Sequence, residues 1–270
     1  MERSDPITLH YEDHGAGAPV VLIHGYPLSS RSWEKQTQTL LSAGCRVITY
    51  DRRGFGGSTQ ATAGYDFDTL SHDLHTLMTQ LDLRDVALVG HGMGTGEAIR
   101  YLAANGSERV SKVVLLAPLP PFLLRTADNP EGVRQEVFDA IIKAMLARRP
   151  TYMKALLDDI YNVDVLGDSR VSEQDVQFSW NVAVNASAKG AVDCIVAWFT
   201  DFRQELPRID LPTLIVQGDQ DRIFPIHVTG RRLSTLIKDA RLVVIKGGPH
   251  AVHWTHAEEV NRALIEFLGR

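Results

Sequence analysis

The residues of this sequence that could do chemistry begin with a five-residue turn, Gly90-His91-Gly92-Met93-Gly94. The residues just before it, Val86–Val89, are apolar and predict the end of a buried strand, and a helical pattern starts at Met93. In the same strand–turn–helix context, a Gly-x-Ser-x-Gly turn presents a nucleophilic serine, and its small flanking residues let the strand and the helix approach each other. The flanking glycines are present here, but Gly92 occupies the position of the nucleophile.

Two later loops supply candidates for a base and an acid. Gly247-Gly248-Pro249-His250 follows the last predicted strand, so His250 is the natural base. Asp219 and Asp221 both follow the strand before it, and either carboxylate could orient the histidine. Nucleophile, acid and base thus follow one another in the chain order that this kind of turn requires. With a serine at position 92, such a set would transfer acyl groups through an acyl-enzyme.

A glycine-rich loop after the first buried strand completes the set. In sites of this kind, the loop His24-Gly25-Tyr26-Pro27 contributes one backbone N–H to an oxyanion hole, here that of Tyr26. The residue after the nucleophile, Met93, contributes the other. Two such donors would stabilise the negative oxygen that forms when a carbonyl group is attacked. Everything that acyl transfer needs is therefore predicted except the nucleophile itself.

Six stretches of the chain resemble the arylesterase, perhydrolase and cofactor-free haloperoxidase branch of the α/β-hydrolase superfamily. They are His24–Ser29, Asp51–Ser58, Gly90–Glu97, Thr200–Arg203, Asp221–Pro225 and Gly248–His250. The likeness runs essentially from end to end, so it is much more specific than the turn alone.

The resemblance implies an α/β-hydrolase fold, a Ser-His-Asp triad, small acyl substrates, no cofactor and often a trimeric or larger homo-oligomer. It places the acid four residues before a proline, here Pro225, and so selects Asp221 over Asp219. In this branch a proline after the oxyanion residue accompanies perhydrolysis of carboxylic acids to peracids, so Pro27 is assigned to substrate binding. Two residues depart from the pattern: Tyr26 stands where tryptophan is common, and Gly92 stands where serine is expected.

Glycine at position 92 leaves two origins and three functions open. It is either an engineered replacement, made to trap a ligand, or the mark of a lineage that dropped covalent catalysis. The first function is that of an acyl hydrolase for small esters, lactones or amides, capable of perhydrolysis, that is inactive without its nucleophile. The second is a non-covalent enzyme that uses His250 and Asp221 as a general base for lyase, decarboxylase or isomerase chemistry. The third is a catalytically inactive protein that binds a small acyl ligand.

Short apolar runs alternate with helical segments, which predicts a mostly parallel, doubly wound α/β sheet. The predicted strands are Val20–His24, Arg46–Tyr50, Val86–Gly90, Lys112–Leu116, Thr213–Gln217 and Arg241–Ile245, with an antiparallel edge strand at Thr8–Glu12. The predicted helices between them are Ser30–Ala43, Phe67–Leu81, Met93–Asn105, Ile226–Ile237 and His256–Leu268.

The stretch 118–207 interrupts this alternation, because its pattern is helical throughout. The helices predicted within it are Val133–Arg148, Thr151–Tyr161, Glu173–Val184 and Lys189–Thr200. We therefore predict a core of residues 1–117 and 208–270, with a helical cap of residues 118–207 inserted over the C-terminal ends of the strands.

Composition excludes several classes of function. A net charge of −5 and a pI near 6.0 argue against a nucleic-acid partner. Apolar runs fall short of the ~18 residues that cross a bilayer, and the first residues lack a secretory pattern, so we expect a cytoplasmic protein with no membrane partner. The expected partners are a small acyl substrate and further copies of the chain. Cys45 and Cys194 are expected to be small core residues.

The remaining histidines suggest structure rather than chemistry. His250, His253 and His256 are spaced three apart, but no acidic or cysteine ligand accompanies them, so we predict no metal site. We expect His24 to shape its loop and the side chain of His91 to point away from the pocket.

Two other groups of side chains complete the predictions. Glu97 and Arg100 fall on the helix after the turn and are expected at its surface or at the rim of the core. The cap aromatics are expected to pack mostly inside the cap, with one or two lining an acyl pocket. They are Phe122, Phe138, Tyr152, Tyr161, Phe178, Trp180, Trp198 and Phe199.

Overall fold

The buried apolar runs of the sequence form strands of one sheet in the computed structural model, which describes residues 7–269. The strands are β1 (Tyr11–His14), β2 (Pro19–Ile23), β3 (Arg46–Tyr50), β4 (Val86–His91), β5 (Val110–Leu116), β6 (Thr213–Gly218) and β7 (Ala240–Ile245). Their order across the sheet is β1-β3-β2-β4-β5-β6-β7. Among these strands of the described residues, β1 pairs antiparallel with β3, and the other neighbours are parallel.

Helices cover both faces of this sheet, which confirms the doubly wound prediction. Outside the cap they are α1 (Glu34–Ser42), α2 (Phe67–Gln80), α3 (Met93–Asn105), α8 (Gly230–Leu236), α9 (Val252–Thr255) and α10 (Ala257–Leu268). Alternate strand residues feed two separate cores: Val21 and Ile23 pack with α2 and α3, whereas Val20 and Leu22 pack with α1 and α10. Burial on both faces is the reason why these strands are apolar at consecutive positions.

The predicted cap, residues 118–207, lies between β5 and β6 and contains four α-helices. They are α4 (Gln135–Tyr161), α5 (Val163–Leu166), α6 (Glu173–Val184) and α7 (Ala188–Ala197). Helix α4 joins the two helices that the sequence predicts on either side of Pro150, and it is kinked at Arg148, whose backbone is not helical (φ −150°, ψ 61°). Proline disturbs the preceding turn because it lacks an N–H and clashes with a carbonyl there.

The cap is bonded to the loops that follow β6 and β7. Near the end of α4 the carbonyl oxygen of Ile160 accepts the N–H of Ala251, at 2.9 Å. Just beyond it, the side-chain amide of Asn162 donates to the carbonyl of Gln220, also at 2.9 Å. Movement of this end of α4 is therefore coupled to both of the loops in which the acid and the base are predicted.

Several predicted boundaries are wrong, among them those of the edge strand and of helix α8. The edge strand begins at Tyr11, not at Thr8, and ends at His14. All four of its residues are exposed, so no hydrophobic face fixes the register. Helix α8 begins at Gly230 instead of Ile226, because the backbone before it is held by side chains: the carbonyl of Phe224 accepts a bond from Gln217.

The predicted location of Glu97 is also wrong, because this residue is fully buried. Its carboxylate accepts a hydrogen bond from Arg52 Nε at 2.9 Å and another from the hydroxyl of Tyr50. Arg52 is equally buried and donates a further bond to the carbonyl of His24, so the pair ties α3 to the loops after β2 and β3. Arg100, one turn later, does lie at the rim of the core.

Replacing Glu97 with alanine should strongly destabilise the fold. The change leaves the guanidinium of Arg52 buried without its counter-charge, and breaking a buried pair in this way costs about 3–5 kcal/mol. The measurement is the free energy of unfolding in urea. The matched control is Glu266→Ala, which breaks the exposed pair with Arg241 and should cost less than about 1 kcal/mol. Equal effects in the two variants would contradict the structural role given to Glu97.

Candidate active site

The turn between β4 and α3 has the backbone geometry of a sharp elbow. Gly92, at its apex, has φ 51° and ψ −117°, a region that favours glycine. Its N–H donates to the carbonyl of Leu116 on β5, at 3.0 Å. Its own carbonyl accepts bonds from the N–H and the hydroxyl of Thr95, at 3.0 and 2.7 Å. Bonds on both sides therefore hold the apex in place.

The glycines on either side of the apex are required by close packing. A Cβ atom at Gly94 would lie 2.3 Å from the carbonyl oxygen of Ile23, and one at Gly90 would lie 2.6 Å from that of Gly94. Neither contact is possible, so helix α3 can approach the sheet only with glycine at both positions. This confirms the steric reason for which the sequence predicts small flanking residues.

Gly92 is in a different environment. A Cβ atom there would lie 3.0 Å from Nε2 and 3.5 Å from Cε1 of His250, and the next atom, the Cα of Gly25, is 3.9 Å away. A side chain at position 92 would therefore point at the imidazole of His250. The nearest neighbour is the imidazole ring of His250 and not backbone, so a small shift of that ring would make room for a side chain.

His250 and Asp221 are brought together as a buried pair. His250 Nδ1 lies 3.0 Å from the carboxylate oxygen Oδ2 of Asp221, and both residues are buried. The other oxygen of Asp221 accepts the N–H groups of Ile223 and Phe224 at 3.0 and 2.9 Å. These bonds aim the carboxylate, which in turn orients the imidazole so that Nε2 faces Gly92.

Asp219, the competing acid, is placed elsewhere. It is exposed, and its carboxylate accepts the N–H of Gly247 at 2.7 Å in the turn that precedes His250. Such a bond suits an aspartate that shapes a turn. Of the two acids considered from the sequence, Asp221 is therefore the one that contacts the histidine.

Gln217 is a supporting residue that the sequence analysis missed. Its side-chain amide donates to Asp221 Oδ2 at 3.2 Å and to the carbonyl of Phe224 at 2.6 Å. Its amide oxygen accepts bonds from the hydroxyl of Thr229 and the N–H of Gly230. The signal was available, because a glutamine at the end of an otherwise apolar strand must satisfy four bonds if it is buried.

His91 points away from the cavity, as expected, but it also supports the base. Its Nε2 lies 3.0 Å from the carbonyl oxygen of His250, and the two ring centroids are 4.9 Å apart. Burial, with His253 and His250 nearby, holds the pKa of His91 well below its usual value, so the ring is neutral and Nε2–H donates. The residue before the apex therefore fixes the backbone of the base, which the spacing of the sequence did not reveal.

His24 shapes its loop through both ring nitrogens. Nε2 accepts the N–H of Arg52 at 3.0 Å, so Nδ1 must carry the proton that it donates to the carbonyl of Gly25 at 2.9 Å. Burial, reinforced by the charge of Arg52, lowers the pKa of His24 to about 3 and keeps the ring neutral. The structural role expected from the sequence fits these contacts.

The two backbone donors predicted for an oxyanion hole lie at the same end of the sheet. Met93 is the first residue of α3, where N–H groups have no partner within the helix. Within residues 7–269, neither its N–H nor that of Tyr26 has an assigned acceptor. Tyr26 is also anchored to the cap, because its hydroxyl donates to the carbonyl of Ala191 at 2.9 Å. That contact fixes the loop that carries one of the donors.

An apolar cavity lies against His250. Counted together with the open solvent at its mouth, its empty space is about 300 Å³, and the enclosed part is much smaller. Its lining consists of Tyr26, Met93, Leu156, Ile160, Trp198, Ile223, Phe224 and His250. Trp198 is the cap aromatic that reaches the cavity, and its ring packs edge-on against Tyr26 with centroids 5.0 Å apart. Pro27 is buried but lies outside this lining.

Within residues 7–269, no three histidine, cysteine or acidic side chains are grouped as metal ligands would be. Over the same range, no helix combines the length and the apolarity needed to cross a bilayer. Cys45 and Cys194 are both buried and unpaired, as the sequence suggested.

The pairing of acid and base can be tested on the chain as it stands. The proton on Nδ1 of His250 should give a nuclear magnetic resonance signal far downfield of the backbone amides, because it is buried and bonded to a carboxylate. Asp221→Asn should remove or shift this signal. Asp219→Asn is the matched control and should leave it in place. A signal sensitive to Asp219 and not to Asp221 would contradict the geometry.

Comparison with known proteins places the chain in a family. The sequence model of the protein family described as alpha/beta hydrolase fold matches residues 18–257. A Synechocystis sp. protein provisionally named non-heme chloroperoxidase is 60% identical over 99% of this chain and 97% of its own. A bifunctional esterase/perhydrolase of Acinetobacter calcoaceticus is 35% identical over 99% and 98%. The crystal structure of a Bacillus anthracis bromoperoxidase has a TM-score of 0.94 at 43% identity, covering 98% and 97%. The chain therefore belongs to the α/β-hydrolase fold family, with haloperoxidase, esterase and perhydrolase relatives.

Proposed function

We propose that this chain carries the acyl-transfer site of a small-ester hydrolase and perhydrolase, with glycine in place of the nucleophile. One observation carries the proposal: a side chain at position 92 would point at His250 Nε2, with its Cβ 3.0 Å away. The base is oriented by Asp221 through Nδ1, so its free nitrogen faces the one position where the expected residue is missing. The name of the Acinetobacter calcoaceticus relative, a bifunctional esterase/perhydrolase, supports the same class of reaction.

The residues have distinct roles when a serine stands at position 92. His250 Nε2 takes the hydroxyl proton as the oxygen attacks the substrate carbonyl, and Asp221 stabilises the resulting imidazolium. The N–H groups of Tyr26 and Met93 bind the oxyanion. The leaving alcohol takes the proton from His250, and water or hydrogen peroxide then releases the acyl group as an acid or a peracid. The small apolar cavity favours a short acyl group. Pro27 does not line that cavity, so its role in substrate binding rests on the family resemblance and on its place after the proposed oxyanion residue Tyr26.

With glycine at position 92, no acyl-enzyme forms, because no oxygen is attached there to attack the carbonyl. Sites that have lost a triad member keep only ~10³–10⁴-fold catalysis over water, from the oxyanion hole and substrate binding. Ordinary ester turnover should therefore be nearly lost.

We also propose that the protein is a cytoplasmic homo-oligomer that needs no cofactor. This part of the proposal rests on the family resemblance and on the composition.

A second candidate is a non-covalent enzyme for lyase, decarboxylase or isomerase chemistry. The observation that favours it is that the imidazole of His250 lines an apolar cavity. The same cavity is lined by Tyr26 and Met93, whose backbone N–H groups have no assigned acceptor within residues 7–269. A base there could remove a proton from a substrate carbon while the donors hold the enolate oxygen. The same oriented base speaks against a simple binding protein, because ligand binding alone does not need Asp221 to fix the imidazole.

Gly92→Ser should create esterase activity. The elbow already has the required backbone, and the serine oxygen would lie beside His250 after a small shift of the ring. Loss of the serine from a triad elsewhere costs about 10⁶-fold in kcat, so we expect kcat/KM for p-nitrophenyl acetate to rise by at least about 10³-fold. The measurement is the release of p-nitrophenol by the glycine and serine forms at matched concentrations.

The double variant Gly92→Ser/His250→Ala is the control for this experiment, and it should return activity to the background. A folded serine form that is no faster than the glycine form would rule out the acyl-hydrolase proposal. In that case the non-covalent candidate would be tested by the loss of its reaction in His250→Ala alone.

A further inference from the structure

We infer that His24 is a positioning residue for the oxyanion hole, because its side chain fixes the direction of the Tyr26 N–H. This role deepens the proposed function and rests on it for the use of that N–H as an oxyanion donor. His24 thus does more than shape its loop: one ring nitrogen holds a single peptide group, and Arg52 selects the tautomer that can hold it.

The peptide group that His24 holds joins Gly25 to Tyr26. It is trans, so its C=O and its N–H lie in one plane and point in opposite directions. The carbonyl oxygen of Gly25 accepts the Nδ1–H of His24 at 2.9 Å and the N–H of Leu28 at 3.0 Å. Because the carbonyl is held by two bonds, the direction of the Tyr26 N–H on the opposite side of the peptide is fixed as well.

This peptide group borders the proposed nucleophile position. The Cα of Gly25 lies 3.9 Å from the Cβ atom that a residue at position 92 would carry. Tyr26 lines the same cavity as Met93 and His250, and its N–H has no assigned acceptor within residues 7–269. A fixed N–H with this placement is available to the oxyanion of a substrate.

Gly25 explains why a side chain is needed to hold the peptide. A Cβ atom at Gly25 would lie 2.3 Å from Nδ1 of His91, so the close packing against that ring requires glycine. Glycine leaves its backbone freer to rotate than any other residue does. The bond from His24 therefore supplies the restriction that the residue at position 25 does not supply itself.

Arg52 selects the tautomer of His24 that can donate to Gly25. A neutral imidazole has one N–H and one lone pair. The backbone N–H of Arg52 donates to Nε2 of His24 at 3.0 Å, so the lone pair is on Nε2 and the proton is on Nδ1. The guanidinium of Arg52, paired with the buried Glu97, donates to the carbonyl of His24 at 2.9 Å. Both ring nitrogens and the carbonyl of His24 thus have fixed partners.

Two amide replacements separate the two bonds of the ring. In His24→Asn the side-chain NH₂ takes the place of Nδ1–H and still donates to Gly25, whereas the acceptor for the Arg52 N–H is lost. In His24→Gln the amide oxygen takes the place of Nε2 and still accepts from Arg52, whereas the donor to Gly25 is lost. Each variant loses one hydrogen bond, so we expect similar unfolding midpoints in urea. A difference between them then reports the peptide and not the stability of the fold.

The direction of the Tyr26 N–H is measured by its residual dipolar coupling in a weakly aligned, ¹⁵N-labelled sample. The unaltered chain and His24→Asn should give the coupling calculated for an N–H directed opposite to the Gly25 carbonyl. His24→Gln should change this coupling, because the peptide is then held by Leu28 alone, while the couplings of Tyr101 and Tyr161 should stay the same. An unchanged Tyr26 coupling in His24→Gln would overturn the inference.

The consequence for catalysis is measured in the Gly92→Ser form with p-nitrophenyl acetate. His24→Gln should lower kcat by about 10²–10³-fold, the effect of losing one oxyanion donor, with little change in KM. His24→Asn should keep kcat within about tenfold of the Gly92→Ser form, since the bond that it loses does not hold the peptide. Equal losses of kcat in the two variants would contradict the inference.

The unaltered chain gives an answer even if a variant does not fold. The ¹⁵N chemical shifts of His24 should show the proton on Nδ1, and a proton on Nε2 would overturn the inference. If the Gly92→Ser form is inactive but the Tyr26 coupling changes in His24→Gln, the acyl-transfer proposal is wrong and the held peptide stands. If the serine form is active and responds equally to both His24 variants, the proposed function stands and the role of His24 is wrong.

Discussion

The approach of helix α3 to strand β2 is the constraint on which the rest of the site depends. At Gly94 the two elements are so close that a methyl group would lie 2.3 Å from the carbonyl of Ile23. A helix that starts so near the sheet forces the preceding residues into a sharp turn, and this gives Gly92 its positive φ. The turn places position 92 beyond the end of β4 and brings Met93 into the lining of the cavity. The proposed nucleophile position and one proposed oxyanion donor thus follow from one packing contact.

The parts of this arrangement that could be predicted from the sequence are those encoded in local patterns. Buried runs such as Val86–Val89 specify strands, and loops at the C-terminal ends of parallel strands must meet, so His250 could be paired in advance with one of the two aspartates that follow β6. The choice of Asp221 over Asp219 came from the family resemblance. Contacts between residues that are far apart in the sequence could not be predicted. Glu97 has the spacing of a helix-surface residue, but its counter-ion Arg52 comes from a loop 45 residues away. The bond from His91 to the carbonyl of His250 is hidden for the same reason, and β1 lacks any buried face to set its limits.

The cap is joined to the loops of the candidate site through a few defined bonds. Trp198 closes one side of the cavity, and the neighbouring helix α7 accepts the hydroxyl of Tyr26 through the carbonyl of Ala191. The loop that carries the proposed donor Tyr26 is thus attached to the part of the cap that lines the cavity. At the other side, the end of α4 is bonded to the loops of Asp221 and His250. A cap that moved away would loosen the loops of Asp221, His250 and Tyr26 together, so the candidate site is complete only when the cap is in place.

Glycine at position 92 separates two requirements that a serine must meet at once. The backbone there is in a region that L side chains adopt only with strain, of order 1–3 kcal/mol, and hydrolases accept that strain to expose their nucleophile. Glycine releases the strain and leaves the turn unchanged, because the geometry is imposed by the packing at Gly94 and by the bonds to Leu116 and Thr95. The rest of the machinery therefore does not need the nucleophile for its own structure. This independence explains how a base, an acid and two N–H donors can stay assembled around a position that carries no side chain.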